Sequence, residues 1–381
     1  MKSICGVPGV TAAGIKEGKY GLALIKASGS SAAVFTQNRV RAPVIDLMAE
    51  RMKKNQIEGI IVNSGCANAY TGRRGMHDAI RMAEIGGEVL GIDPMHVGVA
   101  STGVIGRYLN LDRIEEQAGS LTLSSSEEAE IQAARAIMTT DLVEKYALAQ
   151  GNGFSVGGIA KGSGMIAPNM ATMLGFIYTD AEIAEPELRR ILKKAVSRSF
   201  NRIVVDGDVS TNDCVFLTAT GEAGAVPLNE VEEQLTATCI HLAQAIARDG
   251  EGATKLIEVI VSGARTEEDA SRVAKTVVTS PLVKTAVYGE DPNWGRVVAA
   301  AGYAGVDFEI PDLSLWIGRG EEKTPLVQKG EITADLAVAK AAMKGDTVVF
   351  SIDLDSGDGE ATAWGCDLTE KYVEINGKYT T

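Results

Sequence analysis

The chain has 381 residues with 37 basic and 50 acidic side chains, a formal net charge of −13. Hydrophobic residues at 45% and charged residues at 23% are the proportions of a globular protein of two or three domains, not of a disordered chain. A pI near 4.9 weighs against nucleic acid or an anionic membrane as partner, since phosphate binding needs clustered Lys and Arg.

The opening Met1-Lys2-Ser3-Ile4-Cys5-Gly6 has no apolar core of a secretory signal. No apolar run approaches the roughly 18–20 residues of a membrane helix, and the longest candidate, Val297–Val306, is broken by glycine. Short β-rich runs at Gly21–Ile25 and Gly59–Val62 predict strands. Ser126 followed by Glu127 and Glu128 predicts a helix to about Met138, its first turn acidic as the helix dipole favours. From Glu187 to Phe200, Leu188, Ile191, Leu192, Ala195 and Val196 recur at helical spacing while Arg189, Arg190, Lys193 and Lys194 take the opposite face. Asn229 followed by Glu232 starts a further helix carrying Leu235, Cys239, Leu242 and Ile246, with Gly250 just past its end. Ile257–Val261 and Thr347–Leu354 read as strands, and TEEDASRVAK, from Thr266, as a helix. There is no repeat and no low-complexity linker. The class is α/β, mixed sheets in layers covered by helices.

Five cysteines (Cys5, Cys66, Cys214, Cys239, Cys366) are odd in number and scattered, the pattern of free thiols in a reducing cytoplasm. The three histidines (His77, His96, His241) stand apart from each other and from any Cys, Asp or Glu cluster, so a His metal site or a Ser-His-Asp triad has little support. Asp206-Gly207-Asp208-Val209-Ser210 opens like a calcium loop, but Thr211 and Leu217 stand where Gly and Glu are needed. Asp353-Leu354-Asp355-Ser356-Gly357 fails likewise, with Asp358 and Trp364. Both read as polar turns, and no metal is expected.

The chemically suggestive stretch is GNGFSVGGIAKGSGMIAPNMATM, from Gly151 to Met173. A phosphate cradle is one reading, but neither GxxxxGK[ST] nor GxGxxG is present. A glycine-rich turn leading into a strand at Met173–Tyr178 is a second. In a third, Thr172 stands between the small Ala171 and that apolar strand. Cleavage before it would free an α-amino group, of pKa about 7.7–8.0, to serve as base for its hydroxyl. That chemistry requires neither histidine nor metal.

KGSGMIAPNMATML (Lys161–Leu174) resembles the signature of the glutamate N-acetyltransferase family, also called ornithine acetyltransferase, of arginine biosynthesis. The resemblance runs along nearly the whole chain. It takes in GVTAAGIKEGKYGLALI near the start, NSGCANAYTG (Asn63–Gly72), STGVIG (Ser101–Gly106) and DGDVSTND (Asp206–Asp213). EGATK (Glu251–Lys255), YGEDPNWGR (Tyr288–Arg296) and NGKYTT (Asn376–Thr381) complete the order.

The resemblance implies an amino-terminal-nucleophile type of fold and self-cleavage between Ala171 and Thr172. The products would be an α fragment, 1–171, and a β fragment, 172–381, assembled two of each in the cytoplasm. A C-terminal subdomain is expected from about 270, within the 264–280 stretch. The implied reaction carries acetyl from N2-acetylornithine to glutamate through acetyl-Thr172. Thr102 and Gly103 would stabilise the oxyanion. Thr139 or Thr140, Lys161, Thr172, Glu251, Asn376 and Thr381 would bind substrate, Lys161 at a carboxylate and Glu251 at an ammonium group. Some members also use acetyl-CoA as donor, and no motif here separates the two kinds. No other cofactor is implied.

This chain departs from the family pattern at Cys66, at Val209 and at Leu142-Val143-Glu144 before Lys145, and the tail keeps Asn376, Tyr379 and Thr381. An aminopeptidase or amidase on a related fold, passing the acyl group to water, is one rival. An uncut, non-catalytic scaffold is the other.

Overall fold

The computed structural model describes residues 3–53, 56–167, 173–320 and 323–378. The chain divides into two compact units, one of residues 1–201 and 208–242, the other of 202–207 and 243–380. The 264–280 stretch, where a subdomain was expected to open, instead lies inside the second unit. There it holds the end of the strand Leu256–Ala264 and the whole helix Glu267–Thr279.

The first unit holds two sheets. One has four strands in the order Thr11–Glu17, Tyr20–Lys26, Gly59–Cys66 and Val97–Val104, the last pair parallel and the others antiparallel. The second has five, in the order Ser30–Phe35, Cys214–Gly224, Leu174–Ala181, Ser155–Lys161 and Lys145–Gln150. The central strands Gly59–Cys66, Ser155–Lys161 and Leu174–Ala181 are buried along their whole length. That is why they read as continuous apolar or small-residue runs without alternation. Helix Glu127–Ile137 packs on the first sheet and contacts the second, with Ser126 accepting the Ala129 N–H at its start. Helix Glu185–Arg198 buries the five predicted apolar positions against the Ser30–Phe35 strand. Glu130, on the inner face of helix Glu127–Ile137, accepts the backbone N–H groups of Ser3 and Cys5 and so ties the start of the chain to the core.

The glycine-rich stretch is more than a turn. Gly157 and Gly158 lie inside a buried strand, and a Cβ at Gly157 would come within 2.4 Å of the Ser3 carbonyl oxygen. Close backbone approach accounts for this glycine. The strand's antiparallel neighbour begins at Leu174, paired with Lys161.

The second unit is built on a seven-stranded sheet. Leu256–Ala264 lies between a parallel neighbour, Thr347–Asp353, and an antiparallel one, Gly359–Cys366. Helix Glu267–Thr279, capped by Thr266, covers it. All five cysteines are buried. Among the described residues, no helix is long and apolar enough to cross a membrane.

Gly157→Ala is expected to lower unfolding stability by about 1–3 kcal/mol, the cost of overpacking a filled core. Urea titration of the two proteins checks it.

Candidate active site

In the first unit, two of the expected site residues, Thr139 and Lys161, meet at a buried carboxylate that the sequence did not single out. Asp141 accepts a hydrogen bond from Lys145 Nζ at 2.8 Å, from the Gly162 N–H at 2.6 Å and from the Thr139 N–H at 3.0 Å. Lys161 Nζ stands 3.8 Å away and donates to the Thr139 hydroxyl at 2.7 Å. Burial alone would push the Asp141 carboxyl up; the Lys161 and Lys145 ammonium groups outweigh it and hold the carboxyl well below its usual range.

Lys161 is only 7% exposed, so it is not a solvated surface lysine. Its position follows from the strand Ser155–Lys161, whose last residue it is, and whose buried face leaves Asp141 as its counter-charge. The two threonines separate here: Thr139 touches Lys161, while the Thr140 hydroxyl meets the Ser163 hydroxyl at 2.8 Å.

Lys16 was also missed. It donates to the Ser64 hydroxyl at 2.8 Å and to the Met138 carbonyl, next to Thr139. Burial, then the neighbouring Lys161, pushes its amine down to about 8, with Asp141 opposing. Only its place in the GVTAAGIKEGKYGLALI stretch marks it in the sequence, and nothing there indicates a partner.

Thr102 and Gly103 lie near the end of the strand Val97–Val104, at the edge of the four-stranded sheet. Cys66 pairs with both Thr102 and Val104, so their peptide groups turn inward to the neighbouring strand. By alternation the Gly103 N–H faces the open edge. The same edge is engaged two residues earlier, where the Asn212 amide donates to the Ser101 carbonyl at 2.9 Å and to the Ala67 carbonyl at 2.6 Å. Gly103 has φ +129°, and a Cβ there would meet Gly65 C at 2.4 Å, so only glycine fits. Asn212 precedes the strand Cys214–Gly224, and the Cys214 N–H donates to the Met173 carbonyl at 3.1 Å. One hydrogen-bonded chain therefore runs from the Ser101–Gly103 edge to the residue that follows Thr172. Ala171 and Thr172 themselves, and Thr381, lie outside the described residues.

In the second unit, Asn376 Nδ2 donates to Glu251 Oε2 at 2.8 Å. Asp367 fixes the turn after Glu251 by accepting the N–H groups of Thr254 and Lys255, at 2.8 and 3.0 Å. Asn376 belongs to the helix Glu370–Lys378. Among the described residues no three His, Cys, Asp or Glu side chains are grouped to hold a metal ion.

The model of the ArgJ family matches residues 8–381. The chain belongs to that family. A glutamate N-acetyltransferase of Methanosarcina mazei is 50% identical over 99% of this chain and 98% of its own. The arginine biosynthesis bifunctional protein ArgJ of Archaeoglobus fulgidus is 45% identical over 99% and 100%. The crystal structure of Bacillus halodurans ArgJ is 42% identical and superposes with a TM-score of 0.50, covering 52% of this chain and 96% of that one. The chain is accordingly an acyltransferase of the arginine biosynthesis family, with that family's layered α/β architecture.

The departures from the family pattern can now be placed. Leu142 is 81% exposed, whereas Lys145, which the departure spares, is fully buried against Asp141. The Cys66 thiol is buried and donates to the Arg107 carbonyl, and burial pushes its pKa up. Val209 presents its backbone carbonyl to the Asn38 amide, a contact indifferent to its side chain.

Asp141→Asn strands two buried ammonium groups and is expected to cost about 3–5 kcal/mol. The folded-state carboxyl is depressed, so its contribution is complete above the unfolded value near 4 and fades as pH falls toward the folded one. Urea titrations should therefore show the gap between variant and wild type narrowing below about pH 4.

Proposed function

We propose that this chain carries the acetyl group of N2-acetylornithine to glutamate through an acetyl-Thr172 intermediate, after cutting itself between Ala171 and Thr172. The observation that carries the reading is the register of Lys161 with Leu174, which brings a buried ammonium group beside the strand entered from Thr172. The names of the relatives above support glutamate as the acetyl acceptor, in arginine biosynthesis.

Each step asks for a group of a kind the chain supplies. The Thr172 hydroxyl attacks the acetyl carbonyl, and the free α-amino group takes its proton, a role open to an amine of pKa about 7.7–8.0. The Gly103 N–H, on an open strand edge, and the Thr102 hydroxyl stabilise the oxyanion. Lys161, steadied by Thr139, holds the substrate carboxylate, and Thr140 adds a hydroxyl nearby. Glu251, aligned by Asn376, takes an ammonium group, and Thr381 is the remaining substrate contact. Ornithine leaves before glutamate enters, so the kinetics are ping-pong. A member that also accepts acetyl-CoA would load the same threonine by the same acyl-enzyme route.

Cleavage would leave the two fragments interlocked. Ser155–Lys161 comes from one side of the cut and Leu174–Ala181 from the other, yet they are hydrogen-bonded neighbours in one sheet. The processed enzyme then holds two copies of each fragment.

Scaling 40.1 kDa by 171 and by 210 of 381 residues gives fragments of about 18 and 22 kDa. Intact mass under denaturing conditions should show both, the larger beginning at Thr172, although they co-elute when native. Incubation with acetylornithine should add one acetyl group to the larger. Thr172→Ala should remain a single inactive chain; wild-type activity in that variant refutes the mechanism. Lys161→Gln should raise KM for both substrates about 10–100-fold, as removal of a charged hydrogen bond does.

A further inference from the structure

The peptide group joining Met138 to Thr139 is held at both ends by charged side chains. Its N–H donates to Asp141 Oδ2 at 3.0 Å, and its carbonyl accepts from the Lys16 ammonium group. Asp141 is itself fixed by Lys145 and by the Gly162 N–H. Hydrogen bonds with one ionised partner are roughly twice as strong as neutral ones. Together these two fix the plane of the peptide, and with it the place from which the Thr139 side chain leaves. That side chain accepts from Lys161 Nζ at 2.7 Å.

The four-stranded sheet brings Lys16 to this contact. In register, Lys16 stands opposite Gly21, Gly21 opposite Ser64, and Ser64 opposite Thr102, one row across all four strands. Directly opposed residues share a face of the sheet. Gly21 leaves a gap in the row, and the end of helix Glu127–Ile137 fills it: a Cβ at Gly21 would come within 2.1 Å of the Ala136 carbonyl oxygen. The Ser64 hydroxyl donates to that oxygen at 2.7 Å, and Lys16 Nζ donates to Ser64 at 2.8 Å. The last carbonyls of a helix have no partner within it. Here Lys16 secures the Ala136 carbonyl through Ser64 and the following Met138 carbonyl directly, a cation at the end of the helix that its dipole favours.

We propose that Lys16 is a positioning residue of the substrate site, holding the Met138–Thr139 peptide against Asp141 so that the Thr139 hydroxyl keeps the Lys161 amine aimed at a substrate carboxylate. The proposal rests on the reading above that Lys161 binds that carboxylate. Lys16 acts through Thr139 and touches no substrate. Both N2-acetylornithine and glutamate carry an α-carboxylate, so loss of Lys16 loosens the hold on both and leaves the transfer step itself largely as it was.

The test is steady-state acetyl transfer from N2-acetylornithine to glutamate by the full-length protein and its variants. Lys16→Met should fold, with wild-type circular dichroism, and raise KM for each substrate about tenfold with kcat within threefold of wild type. Lys16→Arg, which keeps a cationic donor, should bring KM back to within threefold. In the double variant Lys16→Met/Thr139→Ala, KM should rise no further than in Thr139→Ala alone, since residues that act through one contact are not additive. A raised KM in Lys161→Gln with a KM within threefold of wild type in Lys16→Met overturns the proposal and leaves the carboxylate reading standing. Full additivity in the double variant overturns it as well, since Lys16 would then act by a route of its own. If Lys16→Met does not fold, Lys16→Gln, uncharged and one bond shorter, is held to the same thresholds. An unchanged KM in Lys161→Gln, or a wild type without acetyl transfer, overturns the reading of Lys161 itself, and this proposal with it.

Discussion

The first unit depends on one buried anion. A carboxylate removed from water is tolerated only with charge partners and hydrogen bonds on its lone pairs, and Asp141 has both. Its partners come from three places in the chain: the Thr139 N–H just before it, Lys145 at the start of one strand, and Lys161 with the Gly162 N–H at the end of the next. Satisfying this one group therefore sets the spacing of two strands and the loop leading to them. Lys16 lies close enough to feel both charges, its amine pushed down by Lys161 and held up by Asp141.

The second constraint is steric and acts through glycine. Gly103 lets the edge strand lie against Gly65 and Cys66 with its own N–H turned outward. Any side chain there would force the two strands apart and withdraw the donor. Asn212 then uses the same edge, through the Ser101 carbonyl, to hold the strand Cys214–Gly224 in place. A structural contact and a candidate catalytic donor are thus alternate peptide groups of one exposed strand edge.

Much of the fold was legible from period and capping alone. The helices at Glu127–Ile137, Glu185–Arg198 and Glu267–Thr279 begin where Ser126, the Glu187 region and Thr266 indicated, because apolar spacing and caps are local signals. The strand Ser155–Lys161 was not legible, since its glycines look like a turn until the Ser3 backbone that excludes a side chain is known. The site divides in the same way. Lys161, Thr102 and Gly103 were reached through family motifs, which carry order along the chain. Asp141, Lys16 and Asn212 were missed although each lies within or beside a quoted motif. Their significance resides in partners up to 145 residues away, as for Asn212 and Ala67, and no local pattern records that.

Asp141 and Glu251 are both carboxylates beside a nitrogen donor, yet their surroundings suit opposite tasks. Asp141 faces two ammonium groups and is fully enclosed, so its charge is consumed within the fold. A second cation approaching it would compete with lysines already in contact and would also have to shed its water. Glu251 is only partly buried, and its partner Asn376 is a neutral amide that orients one oxygen without cancelling the charge. A carboxylate aligned by a neutral donor keeps its field and can still take a salt bridge from a ligand ammonium, at the modest desolvation cost of a half-exposed site. Replacing Asn376 by a lysine would preserve the contact and abolish that capacity. The amide is therefore the informative residue of the pair, because it aligns the carboxylate without cancelling its charge.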